Sequence, residues 1–378
     1  MASVSIRPVR TRRELKRFVK VPFRLHRASP EWVAPLIFER MAFLDRKKNP
    51  YFEHAEAEYF LAERDGEPVG RITAQIDGRW DEFQGGNDAM FGFFEAVEDS
   101  EVVAALLEAA TEWAAAKGRE RMLGPMDFTT NEEIGILIDG FDRRPMILEP
   151  WHPPYYQRLI EAEGFAKTMD VLMWELQFGA LKEGESFDPS IHAAAKKGLE
   201  EEGIVIRNLR KSEMAAEVRR FTDVYNEAWG HNWGFVPITD AEVEFQAKNL
   251  KQVIAENWAY MAEKEGEVVG AALTLPDINQ VMAKLNGRLL PFGWAKFLLG
   301  KGKIDQCRVL ALGVKHDYRH SGVAAGLYLR HLEEAAVPGG IVGGEMGWIL
   351  ETNEPMNRAM EGMGGTVVKK YRLYERGL

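Results

Sequence analysis

Two short segments of the chain return at a single spacing. Ile6-Arg7-x-x-Arg10 recurs as Ile206-Arg207-x-x-Arg210. Ala62-Glu-Arg-Asp-Gly66-Glu-Pro-Val-Gly70 recurs as Ala262-Glu-Lys-Glu-Gly266-Glu-Val-Val-Gly270, again 200 residues on. Matched segments at one offset point to the same unit built twice. With 378 residues the chain is long enough for more than one full core.

Each copy reads as strand, helix and hairpin. In the first, 4–10 is a strand, 11–26 a basic amphipathic helix, and 59–62 pairs with 69–76 across the Asp65-Gly66 turn. A strand at 89–94 leads to a helix capped by Ser100 and stopped by Lys117-Gly118. A long loop, 123–154, carries Asn131, Glu132, Glu133, Asp139, Asp142 and His152; it either shapes a pocket facing the second copy or packs the copies together. In the second copy, 204–209 is a strand, 211–228 a helix, 229–235 an aromatic loop and 239–257 a helix. The hairpin 258–262 with 268–274 follows, then an apolar and basic insertion, 277–303. That insertion suits a lid on its own domain or a membrane surface, and the acidic balance of the chain favours the lid.

The segment after the insertion is the most informative. Val309-Leu-Ala-Leu-Gly-Val314 reads as a buried strand, Lys315 to Ser321 as a polar turn, and Gly322 opens a helix with Ala324, Leu327, Tyr328, Leu332 and Ala335 at helical spacing. A helix start after a glycine-bearing turn offers unpaired N–H groups and a favourable dipole to an anion. The glycine admits a close approach of phosphate to backbone. The matching turn of the first copy, Glu95-Ala-Val-Glu-Asp-Ser100, has acids and no glycine, so that copy lacks the cradle.

Arg319-His-Ser-Gly322-Val-Ala324 resembles the acetyl-CoA pyrophosphate signature of the GNAT superfamily of N-acyltransferases. Tyr155 to Gly164-Phe165, and Asn353 to Gly364, resemble the family's closing helix. The chain is similar to tandem members of that family, with a degenerate first copy. The resemblance implies an α/β (α+β) fold of two GNAT-like domains, each a mixed, mostly antiparallel sheet flanked by helices. The domains would be 1–178 and 204–378, with a linker and helix at 179–203. It implies acyl-CoA, acetyl-CoA or another, as substrate, held by Leu312, Gly313, Val314, Arg319, His320, Ser321, Gly322, Val323, Ala324, Ala325 and Asn353.

The implied reaction is acyl transfer, by direct attack, to the amine of a small molecule or peptide. A general base must take the amine's proton, and a backbone N–H within 310–314 must hold the oxyanion. Glu345, Glu227 and His231 are the candidate bases; Glu345 stands out as an acid inside an apolar run. Met360 stands where the family has its proton-donating tyrosine, and Gly365 where it has phenylalanine. A thioether donates no proton, which leaves Tyr371 or Tyr374, water, or the alternative of a non-catalytic acyl-CoA-binding or regulatory protein.

Composition narrows the classes. A net charge of −10 and a pI near 5.5 argue against nucleic-acid partners, including a charged tRNA as acyl donor. The single cysteine, Cys307, fits a small buried side chain in a cytoplasmic protein. The histidines show no metal spacing, and no apolar run is long enough to span a bilayer. The oligomeric state stays open: the first copy can fill the place of a partner subunit in a monomer, or the chain can associate with itself.

Overall fold

The computed structural model describes residues 3–178, 188–250, 253–337 and 340–378; the first part of the expected linker, 179–187, lies outside them. Among these residues the strands form one 13-stranded sheet. β1 (Ser5–Pro8), β2 (Ala55–Arg64), β3 (Glu67–Asp77), β4 (Asp88–Ala96) and β5 (Arg121–Gly124) come from the first copy, with short β6 (Ile136–Asp139) and β7 (Ala166–Gln177). β8 (Val205–Asn208), β9 (Ala259–Lys264), β10 (Glu267–Pro276), β11 (Gln306–Val314), β12 (Gly343–Leu350) and β13 (Thr366–Gly377) come from the second.

The repeat is visible in the pairing. β1 meets β2 at Ile6↔Ala62, and β8 meets β9 at Ile206↔Ala262, so the repeated segments occupy equivalent ladders. Two parallel contacts, β4–β5 and β11–β12, sit among antiparallel ones. The sheet order is β1-β2-β3-β4-β5-β13-β7-β12-β11-β10-β9-β8, with β6 on β13. The closing strands are therefore exchanged: β13 of the second copy lies against β5 of the first, and β7 of the first lies against β12 of the second. β7 and β13 also pair with each other, which welds the halves into one sheet.

Helices cover this sheet. α1 (Arg12–Leu25) begins in a capping box, with Thr11 accepting from Glu14 N and Glu14 returning to the Thr11 backbone, which satisfies N–H groups with no partner in the helix. α4 (Ser100–Ala116) buries Val103, Leu106, Leu107, Ala110 and Ala114, as its spacing predicts. α5 (Tyr155–Ala162), α6 (Pro189–Lys196, continuing as a wider turn to Glu201), α7 (Met214–Trp229) and α8 (Asp240–Leu250) follow. The second-copy helix expected at 239–257 ends at Leu250, and the chain reaches β9 through a tight turn at Glu256–Trp258. The insertion contains α9 (Asn279–Met282) and α10 (Gly293–Lys301). α11 (Val323–Ala335) and α12 (Glu354–Gly362) complete the second half. α2 (Ile37–Phe43) and α3 (Gly78–Gln84) were not legible in the sequence, being too short to show a period.

Candidate active site between the two halves

β11 and β12 pair from Gln306↔Gly343 to Val309↔Met346 and then part. Beyond Val309 the β12-facing edge of β11 has no strand partner among the described residues. The corresponding gap in the first half is filled by its own chain. Met126 N donates to Phe91 O (2.7 Å), Phe93 N donates to Asp127 Oδ1 (2.7 Å), and a Cβ on Gly92 would lie 1.9 Å from Met126 O. Glu95, at the turn that lacks a glycine, points inward. Burial opposes its charge, but His26 at 2.6 Å and Arg71 outweigh it and hold the carboxyl down to about 2.

A cavity of about 230 Å³ lies at the parting of β11 and β12. Leu310, Ala311, Arg308 and Trp348 form its floor; Phe221, Tyr225, Trp229, Trp233 and Phe235 line the second-half wall. The first half supplies Phe43, Ile134, Leu148, Asn131 and Glu132. The loop 123–154 thus shapes a pocket and joins the halves at once. Tyr225 donates to Asn131 Oδ1 (2.7 Å), Asn131 Nδ2 to Val236 O (3.2 Å), and Gln246 Nε2 to Glu132 Oε1 (2.7 Å). Desolvation pushes Glu132 up to about 8 against the pull of Gln246 and Arg40.

A second cavity of about 400 Å³ shares Arg40, Leu148 and Leu250 with the first. Its inner end carries the acids Glu95, Asp127, Glu133 and Glu149, with Arg71 beside Glu95 and Arg40 on Glu133; its outer end is apolar, with Phe38, Leu289 and Phe297. Burial raises Asp127 to about 6.

Between the cavities runs a buried charge cluster. Lys369 donates to both oxygens of Glu345 (2.5 and 2.7 Å) and to Glu149 (3.1 Å). Arg308 donates to Ile147 O (2.6 Å) and Gly347 O (3.2 Å) and stacks on Trp348. Arg308 Nε and Glu149 Oε1 face each other at 3.4 Å, without a hydrogen-bond partner among the described residues.

No protein-family profile matches the chain. It is 40% identical over 385 residues to a protein named bacterial ceramide synthase from Caulobacter vibrioides, covering 100% of this chain and 98% of that one. It is 35% identical over 376 residues to protein YghO of Escherichia coli, covering 98% and 95%. Among solved structures, a tandem GNAT protein from the clavulanic acid biosynthesis pathway superposes over 99% of this chain and 98% of its own, with a TM-score of 0.55 at 12% identity. A GCN5-related N-acetyltransferase from Sphaerobacter thermophilus does so over 99% and 95%, with a TM-score of 0.53 at 13% identity. The chain belongs to one family with these two relatives, and its fold is that of tandem GNAT proteins.

Within that GNAT frame, the residues singled out in the sequence are widely scattered. Arg319 and His320 are exposed beside the start of α11, and Arg319 donates to Ala228 O (3.3 Å). Leu312, Gly313 and Val314 lie on β11 beyond its parting from β12; Trp229 packs so tightly on Gly313 that a Cβ there would lie 2.0 Å from its ring. Val323 and Ala325 turn into the core, Ala324 is half-buried, and Ser321 donates to Tyr318 O (2.6 Å). Gly322 has φ +81°, and a Cβ on it would lie 1.9 Å from Ala194 O of α6. The glycine thus admits the backbone of α6, where the sequence reading expects a phosphate. Asn353 caps α12 by accepting from Met356 N (3.3 Å).

The five catalytic candidates do not come together. Glu227 accepts from His316 N (3.1 Å) on the surface, and exposed His231 packs near the His316 ring; neither lines a described cavity. Glu345 is buried as the partner of Lys369. Tyr371 donates to Pro150 O (3.0 Å) in the core. Tyr374 sits beside β5 of the first half, donating to Glu161 (3.2 Å), because β13 is exchanged. Among the cavity residues, Glu132 was missed as a base candidate. Its signal was its place in a long loop rich in glycine and proline. No group of ligands suited to a metal occurs among the described residues, and no helix among them is long and apolar enough to cross a membrane.

Proposed function

We propose that this protein transfers a long acyl chain from an acyl-CoA to the primary amine of a lipid-like acceptor, forming an amide and free CoA. The carrying observation is the pair of adjoining cavities, one aromatic and aliphatic at the parting of β11 and β12, the other acidic inside and apolar outside. An acetyl group needs no such apolar wall, whereas a fatty chain gains about 0.8 kcal/mol per buried methylene. The acidic inner end suits an ammonium or amino-alcohol head, and the apolar outer end suits its hydrocarbon tail. The name carried by the 40% identical relative, a ceramide synthase, agrees with an acceptor of this kind.

The residues of the second half fit the donor by charge. Arg319, His316 and His320 are exposed around the start of α11, and Lys315 lies at the base of the same turn. They would hold the phosphates, while the β12-facing N–H groups of 310–314 would receive the thioester oxygen as it becomes an oxyanion. Glu132, within the same cavity as Leu310 and Ala311, would take the amine's proton. The amine nitrogen bonds to the acyl carbon, the C–S bond breaks, and the thiolate takes a proton from water.

Incubation with acetyl-CoA or palmitoyl-CoA and a long-chain 2-amino-1,3-diol tests this. Free thiol and amide are measured together. Amide formation that favours the palmitoyl donor is expected. Thiol release from neither donor would leave the non-catalytic acyl-CoA-binding reading in its place.

A further inference from the structure

The insertion carries large apolar side chains into solvent. Leu290 is 78% exposed, Phe292 72% and Leu299 79%, with Trp294 and Leu298 exposed on one face of α10. Exposed Lys284, Lys296 and Lys303 flank them. A contiguous apolar surface of this kind on a charged protein marks a place where something else binds.

Beside it lies the basic side of α1. Ile37 N donates to Gly287 O (3.2 Å), and a Cβ on Gly287 would lie 2.5 Å from the Phe23 ring, so the insertion is seated directly against this helix. A groove of about 880 Å³ between them is lined by Arg17, Lys20, Arg24, Arg27 and Arg288; Arg17 pairs with Glu63 and Arg24 with Glu67, which leaves Lys20, Arg27 and Arg288 without a carboxylate among the described residues. In a protein of net charge −10 this is a concentrated positive field. Trp32 lines both this groove and the second cavity, whose apolar outer end is formed by Phe38, Leu289 and Phe297. Apolar knuckle, basic groove and cavity mouth therefore share one side of the molecule.

We propose that this side docks on an anionic lipid bilayer, with Leu290, Phe292, Trp294 and Leu299 entering the interface and the groove arginines and lysines meeting phosphate headgroups. The mouth of the second cavity then faces the bilayer, and the acceptor enters tail-outward without crossing water. Charge selects the occupant. An apolar face awaiting a second copy of an acidic chain has no use for a basic rim, whereas an anionic surface engages both features. The inference deepens the acyltransferase reading and rests on it only for what is delivered.

Flotation of the full chain with phosphatidylcholine vesicles, with and without phosphatidylglycerol, tests the docking apart from catalysis. The wild type is expected to float with the anionic vesicles and to be released by salt. Lys20→Glu with Arg27→Glu should weaken binding by about fivefold or more per side chain. Phe292→Asp with Leu299→Asp should abolish it, and both variants alter exposed positions, so their melting temperatures should match the wild type. Wild type that stays in solution with anionic vesicles overturns the proposal, as do variants that float unchanged. A wild-type dimer that the Phe292/Leu299 variant dissolves, without vesicle binding, assigns the face to a second copy and also overturns it. Wild type that floats with the anionic vesicles yet releases no thiol would leave the docking standing and the acyltransferase reading refuted. With activity present, the apolar variant should keep turnover on detergent-dispersed acceptor and lose it on acceptor embedded in vesicles.

Discussion

The Lys369 ammonium lies 2.5 and 2.7 Å from the two oxygens of Glu345, across the strand that separates β13 from β12. Glu149 shares the same cation, and burial together with this second carboxylate pushes Glu345 up to about 7. Lys369→Met should leave the acids without their counter-ion and cost about 3–5 kcal/mol in a denaturant titration. Because the folded pKa of Glu345 is raised, its contribution is complete below the unfolded value and is lost as pH rises through about 7. Melting temperature should fall across that range, and Glu345→Gln should flatten the fall. An unchanged slope in the variant would show that Glu345 is not the titrating group.

Glu132 gives catalysis a separate pH signature. Held up to about 8 by desolvation in the first cavity, it is mostly protonated at neutral pH and becomes a competent base above that value. The rate on a long-chain amine should rise through that pH. Glu132→Gln should lower kcat by about 100-fold and remove the limb, with little change in KM for the donor.

Two substitutions at the α11 turn should behave differently. Gly322→Ala places a Cβ against Ala194 O at a positive φ, so it should lower the melting temperature and unseat α6. Arg319→Ala, at an exposed position, should leave the melting temperature alone and weaken acyl-CoA binding by about tenfold in calorimetry. Equal effects of both on stability would refute this separation of roles.

Chain-length choice should lie in the first cavity. Val243→Trp, on its second-half wall, fills space that a fatty chain would occupy. The palmitoyl donor should lose rate while the acetyl donor keeps it. A parallel loss for both would place the acyl chain elsewhere.

What the sequence determined by itself is local: the repeated units, the hairpin across Asp65-Gly66, the apolar stripe of α4, and the strand, turn and helix around Gly322. Each is written in turn residues and in periods of two or 3.6, which need no knowledge of distant chain. The exchange of β7 and β13 was decided only in the tertiary structure. Every residue offers the same backbone N–H and C=O, so the partner of a strand is chosen by side-chain packing and connectivity over the whole chain. Tyr374 lies beside Gly124 of the first half, and Glu132 meets Gln246 of the second, for that reason. Gly322 shows the same division. A glycine after a polar turn announces a residue at ease at positive φ, while the fold set Ala194 of α6 against it.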